Sequence, residues 1–491
     1  MTSNSNRASS IFAMAWVLCG VGFGLVLHLG CRLPPPSHQS QISVVAASND
    51  LLSKSAANPT LRGSPWSALV ENLNSPLSRL LAQLLVIVFA TRTTGSLFRK
   101  IGLPSVVGEI AAGILLGPSL FGWLWPRGFA FLFTPASLDV LKLLSQVGVV
   151  VFMFVVGMEL KVGHLRDKVR TAFLVSLTGI LVPFLMGMTA SLYLYDGYAR
   201  AGTSFTSFAL FIGIALSITA FPVLVRILEE RGMANSPLGN AAITCAAVGD
   251  ASAWAILALV VAFVRAEGMK AILYNFALLT LFVSFMLIVV RRCLPKLLGP
   301  DAGDRRRPSS GFVACVLLFM SGSALVTEVL GIHALFGAFL AGAIMPKNKG
   351  FRRDLVVRME NFTNVLLMPL FFAFSGLRTH IGMLNDTRSW FVCLVVVVVA
   401  TAGKMGSSMF AARLTGMGWN DSFAFGALMN TRGLMELIAL NIGYDLGILP
   451  SPIFTILVLM ALITTFSTGP LLNLAARLGP SSKTTKDTAA A

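Results

Sequence analysis

From about residue 76 onward the chain alternates long apolar runs with short, basic connections. The runs fall at 76–97, 104–120, 137–160, 171–194, 205–228, 238–264, 270–291, 311–330, 333–346, 360–379, 389–412, 421–443 and 452–474. Most are long enough to span a bilayer as helices, which takes about 20 residues. The runs at 104–120 and 333–346 are short for a span. The pattern predicts an all-α polytopic membrane protein with about thirteen core helices. An earlier apolar run, 11–30, follows Arg7 and ends at Cys31, and predicts a signal peptide or anchor helix over 1–31. Residues 32–75 are rich in Pro, Ser and Asn and predict a disordered extracytoplasmic segment.

Loop charge orients the helices. If the first core helix starts outside, one set of connections carries Arg92, Arg99 and Lys100; Lys161, Arg166, Lys168 and Arg170; Arg226 and Arg231; Arg291, Arg292 and Lys296 with Arg305 to Arg307; Lys347 through Arg358; Arg413; and Arg477, Lys483 and Lys486. The opposite set carries only Arg127, Arg200, Arg265, Lys270, Arg378 and Arg388. The positive-inside rule therefore places the N-terminal segment outside and the tail, 476–491, in the cytoplasm of a plasma (inner) membrane protein.

Composition narrows the class. The chain is 55% hydrophobic and 12% charged, unlike a soluble domain. Its net charge of +17 belongs to the cytoplasmic loops and does not point to nucleic acid. The six cysteines form no CxxC pair and the five histidines have no ligand spacing, so no cofactor or resident metal is expected.

A repeat overlies the helices. Gly108-Glu-Ile-Ala-Ala-Gly113 matches Gly337-Ala-Phe-Leu-Ala-Gly342. Phe152-Met-Phe-Val-Val-Gly157-Met-Glu159 matches Phe371-Phe-Ala-Phe-Ser-Gly376-Leu-Arg378 in the same order. Seven helices separate the members of each pair, so they lie in opposite orientations. Two inverted repeats, about 76–264 and 311–474, are the organisation of secondary transporters, with a site near the midplane where helices are broken.

Polar residues at membrane depth supply the candidate chemistry. Asp250 is the only ionisable residue of its run, and a carboxylate there is retained when it faces water, a counter-charge or an ion. It is read as the residue where a cation and a proton compete. In the fifth run, Ser217-Ile-Thr219-Ala-Phe-Pro222 predicts a break that frees carbonyls one turn upstream to meet an ion. In the twelfth, Asn430-Thr431-Arg432-Gly433-Leu-Met-Glu436 predicts a second break, with Arg432 and Glu436 on one face and able to pair. The hydroxyls of Thr219 and Thr431 either reach the ion or bond back to their own helix. Lys404 lies too deep to reach an interface and needs either Asp250 or backbone carbonyls. Glu109 reads as a packed structural residue, Glu328 as interfacial, and Gln146, Ser217 and Ser252 as residues that line the pathway.

Several of these stretches resemble the cation:proton antiporter-2 family, closest to the plant CHX and fungal Kha-type exchangers and their bacterial relatives. They are Pro104 to Pro118, Ala220 to Leu228, Ala246-Ala-Val-Gly-Asp-Ala-Ser-Ala-Trp254, Gly403-Lys404 and Met429 to Ile438, in family order over about 76–475. The resemblance implies the sodium/proton antiporter fold, with the fifth and twelfth helices crossing as broken helices beside a dimerisation domain, and a homodimer in the bilayer. It implies an ion-binding carboxylate at Asp250 and the family's lysine at Lys404. The family's paired motif is usually Asp-Asp or Asn-Asp, and here it is Gly249-Asp250. One carboxylate holds one proton or one Na⁺ or K⁺, so electroneutral 1:1 exchange by alternating access is expected. About 17 residues follow the last run, without a GxGxxG, so no nucleotide-binding regulatory domain is expected in this chain. A cation channel is the alternative transport reading. An intramembrane aspartyl protease using Asp250 and Asp445 is a remote one, and no enzyme activity is expected.

Overall fold

The computed structural model describes residues 17–33, 75–100, 103–159, 169–265, 269–297, 310–331, 333–346 and 362–478, with isolated positions near 72 and 355–359. The proline-rich segment, several basic loops including 160–168 and 347–354, and residues 479–491 lie outside them. The described residues form helices and their connections. Helix α1 is Val17–Gly30. The core follows as α2 Pro76–Lys100, α3 Ser105–Leu116, α4 Pro135–Glu159, α5 Val169–Tyr198, α6 Phe205–Ser217, α7 Phe221–Glu230, α8 Pro237–Arg265 and α9 Met269–Phe285. Then come α10 Ser310–Val329, α11 Ala334–Ile344, α12 Met368–Leu377, α13 Thr387–Leu414, α14 Trp419–Met429, α15 Leu434–Asp445 and α16 Ser451–Arg477. Short helices at Phe121–Leu124 and Pro126–Leu132 join α3 to α4.

Eleven segments among the described residues are long and apolar enough to cross a membrane, counting α6 and α7 together. The other two predicted runs are α11, which is 11 residues long, and the interrupted pair α14–α15. Each of the thirteen runs read from hydrophobicity thus coincides with a helix or a broken helix. Their starts carry proline where its missing N–H is harmless, as at Pro76, Pro135 and Pro237.

The helices pack as two groups. In one, α2 lies on α3, α3 and α4 lie on α12, and α11 lies between α10 and α4. In the other, α5 packs against α6, α8 and α13, α14 and α15 pack against α16, and α15 also packs against α6. Helix α1 lies against the second group, where Gly22 meets Leu185 and Gly30 meets Phe205.

The repeat is visible in the packing of the first group. Thr94 of α2 donates from its hydroxyl to the Gly108 carbonyl of α3 at 2.8 Å, and Ser323 of α10 donates to Gly337 of α11 at 2.7 Å. Both bonds close over 14 residues. The partners then exchange between halves. Gly113 of α3 abuts Gly376 of α12, where an added Cβ would fall 2.6 Å from the Ala373 carbonyl oxygen. Gly342 of α11 abuts α4 near Gly157, and a Cβ at either would strike the other's backbone. The glycines that mark the repeat in sequence are those that permit this close backbone approach.

Candidate functional site

Two interrupted helices cross within the second group. Helix α6 ends at Ser217, Ile218 and Ala220 are extended (φ −70°, ψ 137° and φ −88°, ψ 94°), and α7 resumes at Phe221. Helix α14 ends at Met429 and α15 resumes at Leu434 after Gly433, whose backbone has φ 156° and ψ −123°. The unwound turns bind each other: Ala220 donates its N–H to the Thr431 carbonyl at 3.0 Å, and Thr219 Oγ1 donates to the Met429 carbonyl at 3.0 Å. Thr219, Asn430, Thr431, Arg432, Glu436 and Ser217 all meet here, and all are buried.

The carbonyls that the first break frees do not stand open, as the sequence led one to expect. Cationic side chains occupy them. Arg432 donates to the Ala215 carbonyl at 2.6 Å and the Leu216 carbonyl at 2.7 Å. Its guanidinium also pairs with Glu436 at 3.5 Å, with both side chains fully enclosed. The predicted Arg432–Glu436 pair is therefore formed. Lys404 of α13 takes the Ser217 carbonyl and, at 2.8 Å, the Gly179 carbonyl of α5. A direct ion pair between Lys404 and Asp250 is not formed. Of the two partners the sequence left open for this lysine, the structure shows backbone carbonyls.

Asp250 sits in the middle of α8, which packs against α5, both halves of the first broken helix, and α14. The residue is 3% exposed, and its Oδ1 is enclosed without a hydrogen-bond partner. Ser176 of α5 fastens α8 one turn away by donating to the Cys245 carbonyl. A Cβ at Gly249 would meet nothing closer than Ser176 Oγ at 3.9 Å, so the position before the carboxylate has room for a side chain. Asn430 at the crossing has a side-chain nitrogen and oxygen that are both enclosed and unpartnered, and Glu436 Oε1 and Arg432 Nε are likewise enclosed without a hydrogen-bond partner.

The remaining candidate residues divide between local bonds and contacts away from the crossing. The hydroxyls of Ser217, Thr431 and Ser252 bond back to Ile214, Leu428 and Val248 of their own segments. Gln146 lines a small cavity of about 30 Å³ with Arg378, Asn441 and Asp445, at the end of the molecule away from the predicted cytoplasmic arginines. There Arg378 holds Asn441 and Asp445 at 2.8 Å each, Lys142 holds Asp445 at 3.0 Å, and Asn441 reaches Ser375 at 2.8 Å. These bonds tie α4 and α12 of one group to α15 of the other. Asp445 is thus engaged, and no hydrogen bond or ion pair joins it to Asp250. Glu328 is half exposed and caps α11 by accepting the Ala334 N–H at 2.7 Å, in keeping with an interfacial place.

At the opposite end a cavity of about 530 Å³ separates the two groups. Arg92, Arg99 and Glu109 line it from α2 and α3, and Arg226 and Glu229 from α7. It reaches Pro222 and Leu434, the first turns of the two resumed helices. Glu109 is buried against Gly95 of α2, in keeping with its reading as a packed residue, and it also lines this cavity. Sequence reasoning missed Gly179 with Pro183, and Thr465, whose hydroxyl accepts the Arg432 N–H at 2.9 Å and donates to the Arg432 carbonyl at 2.8 Å. Pro183 in the middle of an apolar run was the available signal for the first of these. A threonine in an apolar helix carries no comparable one.

Residues 84–474 match the family model described as sodium/hydrogen exchanger, transmembrane. The Na⁺/H⁺ antiporter NhaS4 of Synechocystis is 42% identical over 393 residues, covering 80% of this chain and 96% of that protein. Cation/H⁺ antiporter 17 of Arabidopsis thaliana is 39% identical over 81% of this chain, and K⁺/H⁺ antiporter 1 of Saccharomyces cerevisiae 32% over 82%. The chain spans about half the length of these two, 48% and 47%. Among solved structures, the sodium proton antiporter MjNhaP1 of Methanocaldococcus jannaschii superposes with a TM-score of 0.61 at 14% identity, over 82% of this chain and 99% of that one, a likeness of fold. With its crossed, interrupted helices and this match over most of its length, the chain belongs to the sodium/hydrogen exchanger family.

Proposed function

We propose that this protein exchanges protons for Na⁺ or K⁺ by alternating access, with Asp250 holding one or the other. The observation that carries the assignment is the Asp250 carboxylate oxygen, enclosed beside the helix crossing and without a partner. A carboxylate so placed is satisfied by a proton or by a monovalent cation. The unpartnered Asn430 amide at the crossing is a group suited to a cation's shell, since Na⁺ and K⁺ take oxygen ligands. Lys404 and Arg432 remain on carbonyls and offset the half-helix dipoles at the crossing. Their charges then stay constant through the cycle, and one carboxylate gives electroneutral 1:1 exchange.

A cavity at one end and a side-chain network at the other favour a carrier over a channel. The protein works as a homodimer in the plasma membrane, with its N-terminal segment outside, its C-terminus in the cytoplasm and no cofactor. The test is a proteoliposome pH-gradient assay over Li⁺, Na⁺, K⁺ and Rb⁺, with wild type beside Asp250→Asn. Exchange is expected to vanish in the variant while the protein remains folded. Wild-type rates in Asp250→Asn would overturn the assignment, and a transport current that tracks turnover would overturn electroneutrality.

A further inference from the structure

The Lys404 ammonium sits between α5 and α6, the two helices that also pack against α8 and Asp250, and it is spent on two backbone carbonyls. Both acceptors exist because a helix is interrupted. In a continuous helix the Ser217 carbonyl would accept the N–H of residue 221, and here residues 218–220 are unwound. The Gly179 carbonyl would accept the N–H of residue 183. That residue is Pro183, in the interior of α5, and it has no N–H. The Gly179 oxygen accepts instead from the Lys404 ammonium.

We propose that Pro183 is a positioning residue for ion exchange. By leaving the Gly179 carbonyl free, it gives the Lys404 ammonium a second acceptor and so holds it off Asp250. The proposal rests on the reading of Asp250 as the ion-binding residue. An ammonium paired with Asp250 would compete with the transported cation for the same oxygens. An ammonium held between α5 and the crossing leaves those oxygens to the cation and the proton. The neighbouring packing fits this role. Gly403, beside the lysine, lies against Pro183, where an added Cβ would come 3.3 Å from its Cα. That contact seats α13 on α5 at the proline.

Pro183→Ala and Pro183→Gly both restore an N–H to the Gly179 carbonyl, one with a strong helix former and one with a flexible residue. The readout is the apparent Kd for Na⁺ and K⁺, from cation-dependent protection of the purified full-length protein against thermal unfolding. Both variants are expected to weaken cation binding about tenfold, because Lys404 turns toward Asp250. In a Lys404→Met background the same substitutions are expected to leave the Kd unchanged, closing a double-mutant cycle that a purely structural proline would not close. An unchanged Kd in both single variants, or an equal loss with and without Lys404, overturns the proposal. Failure of both variants to fold also overturns it, since it would assign Pro183 to the fold alone. Asp250→Asn separates the two readings. Cation protection that survives in Asp250→Asn refutes the ion site itself, whereas its loss there with no effect at Pro183 refutes only the positioning role.

Discussion

In the first interrupted helix the carbonyls at the end of the leading half are covered by permanent charge: Ala215 and Leu216 accept from Arg432, and Ser217 from Lys404. In the second, the corresponding carbonyls are covered by neutral groups. Met429 accepts from the Thr219 hydroxyl, Leu428 from the Thr431 hydroxyl and Thr431 from the Ala220 N–H. The halves of the repeat share a backbone plan, and their leading segments have similar lengths, 13 and 11 residues. The cations cover the carbonyls of the first break only, although one of them, Arg432, is supplied by the second. A helix C-terminus carries roughly half a negative charge, so cations there neutralise it and make that end a poor ligand for another cation. The second break keeps neutral donors, with the Asn430 amide unpartnered beside them. The asymmetry between repeats separates a break capped by cationic side chains from one capped by neutral groups.

The comparison is broken most severely by removing Arg432. Arg432→Gln strands two carbonyls and leaves Glu436 buried without its partner, which costs about 3–5 kcal/mol. A marked fall in the unfolding temperature of the purified protein is expected. Arg432→Met combined with Glu436→Leu should fall less, because no uncompensated charge remains. Gly433→Ala comes next. The backbone there lies in a region that L residues avoid, and an added Cβ would approach Val223 Cγ2 at 3.0 Å. A loss of about 1–3 kcal/mol in thermal unfolding is expected. The smallest effect sharpens the comparison. Thr219→Val removes a bond between the two breaks and should cost about 1 kcal/mol. Thr431→Val removes only a bond within its own segment and should cost less in the same assay.

Much of this was legible in the chain. Thirteen apolar runs, the two breaks and the Arg432–Glu436 pair follow from local rules: hydropathy over a span, proline's missing donor and a spacing of four on one helix face. The glycines at 113, 157, 342 and 376 were visible as a repeat, but their purpose was not. Only the fold shows that each pair bridges the two halves, α3 to α12 and α11 to α4. Glu109 looked like a packed residue because its neighbours in sequence are small. It is packed, and that it also lines a cavity with α7 residues is a fact of tertiary structure.

Lys404 marks the boundary most clearly. The sequence alone required that an ammonium at that depth have a partner, because burying an unpaired charge is prohibitive. It could not say which. The partner is backbone, the Gly179 and Ser217 carbonyls, and every residue carries a carbonyl. Which carbonyls are free depends on where helices break, and which free ones face Lys404 depends on how α5, α6 and α13 pack. Apolar pattern, span lengths and local breaks were thus determined by the sequence by itself, since they depend on near neighbours. The tertiary structure decided the division of charge between the two breaks, because it alone brings residues some two hundred positions apart within hydrogen-bonding distance.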